Sequence, residues 1–144
     1  MQVAVIRDYD KGIVLENWPE PVPVGDEVVV TVHGAGICHT DIHLMQRWRN
    51  RPLPLVLGHE VAGIAPEMGP VLVHQSWGCG KCAACQRGEE QLCIAIKEAG
   101  FERPGGFAEK IVVPHRRYLI PLGDLDPVRA APLVALAVAS GARR

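Results

Sequence analysis

The apolar positions of this chain come in short runs broken by glycine, proline and charge, a rhythm that predicts strands and turns over long helices. Residues 3–6 are apolar throughout and 13–15 continue after Lys11-Gly12, which predicts a first hairpin. Prolines at 19, 21 and 23 remove ladder donors, so 18–23 reads as an extended connector. The run 27–33, rich in β-branched residues and followed by Gly34 and Gly36, is the clearest strand. Further strands are predicted over 61–64, 71–74, 107–113 and 118–122, with a tight turn at 66–70 and an extended lead over 52–57. Helical signals are few. Thr40 is the predicted N-cap of a short helix reaching Trp48, with Ile42, Met45 and the stem of Gln46 on one face. Asp126-Pro127 opens another by N-cap and first-turn proline, and 131–139 is a further short helical stretch. The expected fold class is mainly β with short helices.

Composition narrows this. A chain of 144 residues predicts one domain, 1–144. Lys+Arg 15 against Asp+Glu 16 gives a formal net charge of −1, which argues against nucleic acid as a partner. The longest apolar stretch, 130–139, is short and contains Pro132, so no bilayer span is expected. The first residues read as a strand and lack the features of a signal peptide, which makes the cytoplasm the expected compartment. Thiols stay reduced there. Four of the five cysteines crowd into one segment, a pattern that suggests metal before disulfide.

That segment is Cys79-x-x-Cys82-x-x-Cys85 followed by Cys93, within a lobe over about 77–97. Two-residue gaps turn neighbouring thiolates onto one ion, and the longer gap brings the chain back with the fourth. Zinc prefers such a tetrahedral set, and a closed shell of thiolates is structural. Iron–sulfur ligation is the rival, although its cysteine runs are usually spaced differently and often followed by proline, where Ile94 stands here. Four unliganded cysteines would sit poorly among Gly78, Gly80, Lys81, Arg87, Glu89 and Glu90. Lys81 and Arg87 stand where they can offset the negative charge of four thiolates.

A second constellation is looser. Cys38-His39-Thr40-Asp41-Ile42-His43 follows the best strand, and Gly58-His59-Glu60 precedes another. A thiolate and an imidazole from two strand ends can hold a zinc with an open side, with Asp41 or Glu60 orienting a ligand or binding directly. Thr40 and His43 lie one helical turn apart, which allows a hydroxyl-to-imidazole proton path. Spacing alone leaves Cys38 and His59 open to an ordinary packing role.

These two segments, then Trp77-Gly78-Cys79-Gly80-Lys81-Cys82 through Cys93, Gly105-Gly106-Phe107-Ala108-Glu109, Pro121-Leu122 and Ala130-Ala131-Pro132-Leu133, come in an order that resembles the catalytic domain of medium-chain, zinc-dependent alcohol dehydrogenases. The resemblance runs over almost the whole chain. It implies a GroES-like β-barrel with a projecting four-cysteine zinc lobe. By position it makes Cys38 and His59 ligands of a catalytic zinc and Glu60 a carboxylate able to join them. Asp41 becomes the partner of the ligating histidine, Thr40 the proton acceptor and His43 its relay. Trp48 falls on a substrate-pocket wall and His39 near cofactor phosphate. Cys79, Cys82, Cys85 and Cys93 match the structural-zinc set. It implies a small alcohol or aldehyde as substrate.

The sequence also departs from that family. The family's third zinc ligand should follow the Ala-Pro-Leu run, but Val134-Ala135-Leu136 offers none, so Glu60, Asp41 or water must substitute and weak occupancy is expected. The segment between Gly-His-Glu and the cysteines is shortened. No Gly-rich phosphate loop follows a strand, so no NAD(P) site and no alcohol turnover are expected of this chain alone. Val134, Leu136 and Val138 form either a core face or a patch for self-association. A reduced or engineered, non-enzymatic zinc scaffold is the alternative, and a residual zinc hydrolase a lesser one.

Overall fold

A computed structural model describes residues 1–136. The first hairpin forms as predicted: β1 (Gln2–Asp8) pairs antiparallel with β2 (Gly12–Asn17). Its alternate side chains Val3 and Val5, with Ile6, are buried. β3 (Val28–Gly36) runs past the predicted end, through Gly34 and Gly36. The reason is that these glycines let neighbours close in. A Cβ at Gly34 would crowd the helix α3 described below, and one at Gly36 would overlap Glu60. α1 (His39–Gln46) follows, and after an extended lead come β4 (Leu55–Val56), β5 (Glu60–Ala65) and β6 (Gly69–Val73).

β7 (Ser76–Trp77) and β8 (Lys97–Glu98) clasp the cysteine lobe at its base, which contains α2 (Ala83–Gln86) and a 3₁₀ turn at Glu90–Leu92. β9 (Lys110–Val113), β10 (Leu119–Pro121) and α3 (Pro127–Ala130) complete the chain. β9 is shorter than the strand predicted over 107–113. Residues 107–109 leave the ladder to join two sheets: Phe107 O accepts from Ala4 N–H at 2.7 Å, while Glu109 N–H donates to Gln2 O at 3.0 Å. β10 likewise starts one residue late, because Tyr118 closes a 3₁₀ turn.

The strands make a three-stranded sheet, β2-β1-β4, and a five-stranded one, β10-β6-β5-β3-β9, antiparallel throughout. A bridge from Val3 to Ala108 links them. β5 lies at the centre of the larger sheet and is buried along nearly its whole length. Its Val61 packs with Val30, Val71, Val73, Ile111, Val113 and Trp77. Because Glu60 begins this central strand and Cys38 caps α1 just after β3, the β3–β5 pairing carries both to one place.

The helix after β3 differs from the expectation. Its N-cap is Cys38, not Thr40, and its buried positions are Asp41 and Leu44, leaving Ile42 exposed. Asp41 stands at the third helical position and its Oδ2 accepts from Cys38 N–H at 2.9 Å, a bond that satisfies a free donor at the helix start. The Asp126 cap holds as predicted, with Oδ1 accepting from Val128 N–H at 3.0 Å. Val134 packs against Ala62, Leu72, Ala130 and Ala131, whereas Leu136 is exposed. Val138 and the end of the stretch 131–139 lie outside the described residues. Among the described residues, no helix is long and apolar enough to cross a membrane.

Candidate metal centres and their cleft

Among the described residues, two groups of side chains have ligand atoms that converge within 4.8 Å: Cys79, Cys82, Cys85 and Cys93 in one, and Cys38, His59 and Glu60 in the other.

In the lobe, the sulfurs approach one another closely. Cys82 Sγ lies 3.5 Å from Cys85 Sγ, and Cys79 Sγ 4.0 Å from Cys85 Sγ. All are free thiols. Backbone donors face them: Lys81 N–H and Cys82 N–H reach Cys79 Sγ at 3.5 and 3.4 Å, and Cys79 N–H and Ala95 N–H reach Cys93 Sγ at 3.2 and 3.4 Å. Such donors favour thiolates. The Cys85 N–H, as the strongest influence, brings the Cys82 thiol down to about 6. Partial desolvation, as the strongest influence, pushes Cys85 up to about 12. Four converging sulfurs with amide support fit a tetrahedral zinc site.

The second group sits where β3 hands over to α1. His59 is 6% and Glu60 7% exposed, and Asp41, behind them, 1%. His59 Nδ1 lies 3.5 Å from Asp41 Oδ1 and has no nearer partner, which leaves the other ring nitrogen to ligate. Asp41 is fully engaged: Oδ1 also accepts from Gly58 N–H at 3.3 Å, and Oδ2 from Cys38 N–H. It faces His59 and is not among the converging ligand atoms, in contrast to the direct-ligand role that the sequence left open. Burial opposes charge on His59, but Asp41 and then Cys38 outweigh it and raise the imidazole to about 9 in the metal-free chain. Burial also opposes the Cys38 thiolate. Bonds from Thr40 and the neighbouring His59 nevertheless hold that thiol below its ordinary range. Thr40 Oγ1 is 3.5 Å from Cys38 Sγ. A half-buried cysteine with a buried imidazole and a buried carboxylate on one point, the imidazole facing a further carboxylate, fit a zinc site open on one side. Glu60 is the third residue whose ligand atom converges with those of Cys38 and His59.

Beside this group lies a cleft of about 210 Å³ lined by Thr40, His59, Gln75, Glu98 and Phe101.

Residues 25–124 match the family described as the alcohol dehydrogenase GroES-like domain. The chain belongs to this family. An NAD-dependent alcohol dehydrogenase of Sulfurisphaera tokodaii is 36% identical over 157 residues, which cover 96% of this chain and 45% of that relative. The alcohol dehydrogenase of Aeropyrum pernix, a solved structure, is 31% identical with a TM-score of 0.82, over 95% of this chain and 44% of that one. The D-arabinose dehydrogenase of Sulfolobus solfataricus gives 33% and 0.79, over 92% and 43%. The chain thus spans less than half the length of these relatives.

Within this GroES-like domain, several expected site residues sit apart from the ligand group. His43 and His39 stack with ring centroids 4.4 Å apart, and His43 lies 5.0 Å from the Trp48 ring. Trp48 is 51% exposed and does not line the cleft; Phe101 does. No hydrogen bond joins Thr40 to His43 among the described residues. At the lobe, Arg87 pairs with Glu89 at 2.7 Å instead of serving the sulfurs. Arg117 also reaches the lobe: its Nη2 donates to Tyr118 Oη at 2.7 Å and lies 3.4 Å from Glu90 Oε1, while Tyr118 Oη donates to Gly78 O at 3.1 Å. No local pattern marked Arg117, Gln75, Glu98 or Phe101, because strand pairing brings them there. Gly36 carried a signal, a glycine at a strand end opposite the Gly-His-Glu run.

Proposed function

We propose that this chain is the zinc-bearing, alcohol-binding part of an NAD(P)-dependent alcohol dehydrogenase, acting on a small alcohol or aldehyde. The observation that carries the reading is the convergence of Cys38, His59 and Glu60 beside Thr40 and a cleft. Cys38, His59 and Glu60 would hold one zinc, with Asp41 fixing the imidazole, and Cys79, Cys82, Cys85 and Cys93 a second that braces the lobe. Zinc at the first site supplies polarisation of a hydroxyl oxygen and a lowered hydroxyl pKa. Thr40 Oγ1 stands next to Cys38 Sγ and takes up the proton of the substrate hydroxyl. His43, one turn further along α1 and packed beside His39, is the candidate outer member of that relay, with a ligand or water bridging it to Thr40. Phe101 keeps one side of the cleft dry. A nicotinamide cofactor would supply the hydride acceptor, with His39 the candidate to hold its phosphate; the Sulfurisphaera tokodaii relative carries NAD in its name and is more than twice this chain's length. Free thiols at all five cysteines suit a reducing, cytoplasmic setting.

Elemental analysis tests the reading. Chain purified with zinc should carry two ions, and Cys38→Ala one. A single ion, unchanged by Cys38→Ala, would leave only the lobe site and favour the scaffold reading.

A further inference from the structure

Phe101 belongs to two clefts. One is the cleft of about 210 Å³ beside Thr40 and His59. The other, of about 430 Å³, is lined by Pro52, Pro54, Leu55, Val56 and Pro104, and again by Phe101. The ring itself has a neighbour in each. Its centroid lies 5.7 Å from that of His59, which lines the smaller cleft. The guanidinium of Arg51, which lines the larger cleft, sits over the ring at 5.2 Å from its centroid. Phe101 also packs against Ile6, Leu44, Leu55 and Leu57. The turn that carries it is fixed. At Gly100 φ is +81° and a Cβ would stand 3.2 Å from Gly58 N, so the bare backbone lets the turn close on the residue before His59. Phe101 N–H donates to Glu98 O at 3.2 Å. The next residue, Glu102, accepts from Arg51 Nη1 at 2.6 Å and from Glu98 N–H at 3.1 Å. Tyr9 Oη ties Arg51 back by donating to its carbonyl at 3.1 Å. Arg51 thus touches the ring with its charge and pairs with the residue after it, which holds ring and turn together.

The geometry points to Phe101 as the residue that limits the length of the alcohol, a wall between the reacting cleft and the larger one, with Arg51 as the residue that positions it. This rests on the alcohol-binding reading of the smaller cleft. A chain that enters beside Thr40 and His59 meets the ring, and its tail reaches the larger cleft only where the ring is cut back. The larger cleft suits such a tail. Its cations are paired, Arg51 with Glu102 and Arg103 with Glu27, and the rest of its lining is proline, aliphatic and aromatic.

The test is a titration of the zinc-loaded, ¹⁵N-labelled full chain with butan-1-ol and octan-1-ol, followed by amide shifts. In the unaltered chain butan-1-ol should move the amides of Thr40 and His59, and octan-1-ol should gain less than about tenfold over it, because its tail finds no apolar cover. In Phe101→Ala the gain should exceed about tenfold, well within what burying four more methylenes is worth. Octan-1-ol, and not butan-1-ol, should then also move the amides of Leu55 and Val56. Phe101→Leu should show a smaller gain of the same sign, and it keeps the test alive if Phe101→Ala does not fold. Arg51→Met should raise the octan-1-ol gain and leave butan-1-ol affinity unchanged, whereas Arg51→Lys, which keeps a cation over the ring, should stay near the unaltered chain. A gain above about tenfold in the unaltered chain would overturn the assignment, and so would one unchanged in both Phe101 variants. An unchanged gain in Arg51→Met would overturn the positioning role of Arg51. If butan-1-ol moves the Thr40 and His59 amides throughout and the gain never changes, the wall alone falls. If neither alcohol moves them in any chain, the alcohol-binding reading falls and takes the wall with it.

Discussion

At the scale of single residues, the candidate catalytic centre depends on an atom that is missing. A Cβ at Gly36 would overlap Glu60 Oε2 and press on Glu60 Cβ at 3.1 Å. The obstruction is mostly the far end of a flexible side chain, so Gly36→Ala should fold, at a cost of about 1 kcal/mol. What it should lose is the carboxylate. With Glu60 turned away, two ligands remain, and zinc affinity at that site should fall by more than the about 10–100-fold that losing a ligand's outer hydrogen-bond partner costs. Competition with a chromophoric chelator would show this as one of two zincs becoming weak, with the melting temperature little changed. Two tight zincs in the variant would mean that Glu60 is no ligand. A different residue-scale effect lies far from any metal. Arg7 Nε and Nη2 each donate to Glu16 at 2.8 Å, and Trp18 Nε1 donates to the same carboxylate at 2.9 Å. The Arg7 bonds, and then that of Trp18, bring Glu16 down to about 2 from an ordinary 4.5. A depressed carboxylate stabilises the fold fully above the unfolded value and loses its effect as pH falls from about 4.5 to about 2. Carboxyl carbon shifts should therefore place the Glu16 midpoint near 2, and Arg7→Ala should raise it.

At the scale of elements, the start of α1 joins stability to chemistry. One carboxylate, Asp41, accepts from Cys38 N–H, accepts from Gly58 N–H and faces His59 Nδ1. Asp41→Ala removes a helix-start acceptor, typically about 1 kcal/mol, and strands two largely buried donors at about 1–3 kcal/mol together. The urea midpoint should drop by the equivalent of about 3 kcal/mol with an unchanged m-value, and a loss below about 0.5 kcal/mol would contradict the structure. This element also shows what the sequence could and could not disclose. The β1–β2 hairpin, the run in β3, the Asp126 cap and the cysteine spacing were legible because each is a local pattern with a local cause. The Cys38 cap was misplaced by two residues because a hydroxyl is the commoner cap, while here the decisive partner is Asp41. The division of 107–113 between two sheets, and the meeting of Gln75, Glu98 and Phe101 at His59, follow from pairing across long separations. No local rule fixes those.

At the scale of the whole molecule, the cysteine lobe is an annex with almost no core of its own. α2 is four residues long and buries none of them, and Cys93 is the buried residue of the lobe between Gly78 and Lys97. Helices that short do not persist unaided. The lobe is tied to the barrel by the β7–β8 pair, by Tyr118 Oη donating to Gly78 O, and by Arg117 next to Glu90. Those ties lie at its base and leave the turns between Cys79 and Cys93 without apolar support. A bound ion must then do what a core does elsewhere, and its binding energy becomes folding energy. Cys82→Ser, or stripping with a strong chelator, should lower the melting temperature by at least about 5 °C, given roughly 2–4 °C per kcal/mol at this size. The loss should be local as well. Amide exchange between 79 and 93 should quicken by orders of magnitude, while β3 and β5, at the centre of the larger sheet, keep their protection. An unchanged melt with unchanged exchange would show that the lobe stands without metal. Quickened exchange in β3 and β5 as well would mean that lobe and barrel fold as one unit, through the Trp77 side chain that roots the lobe in the core beneath β5.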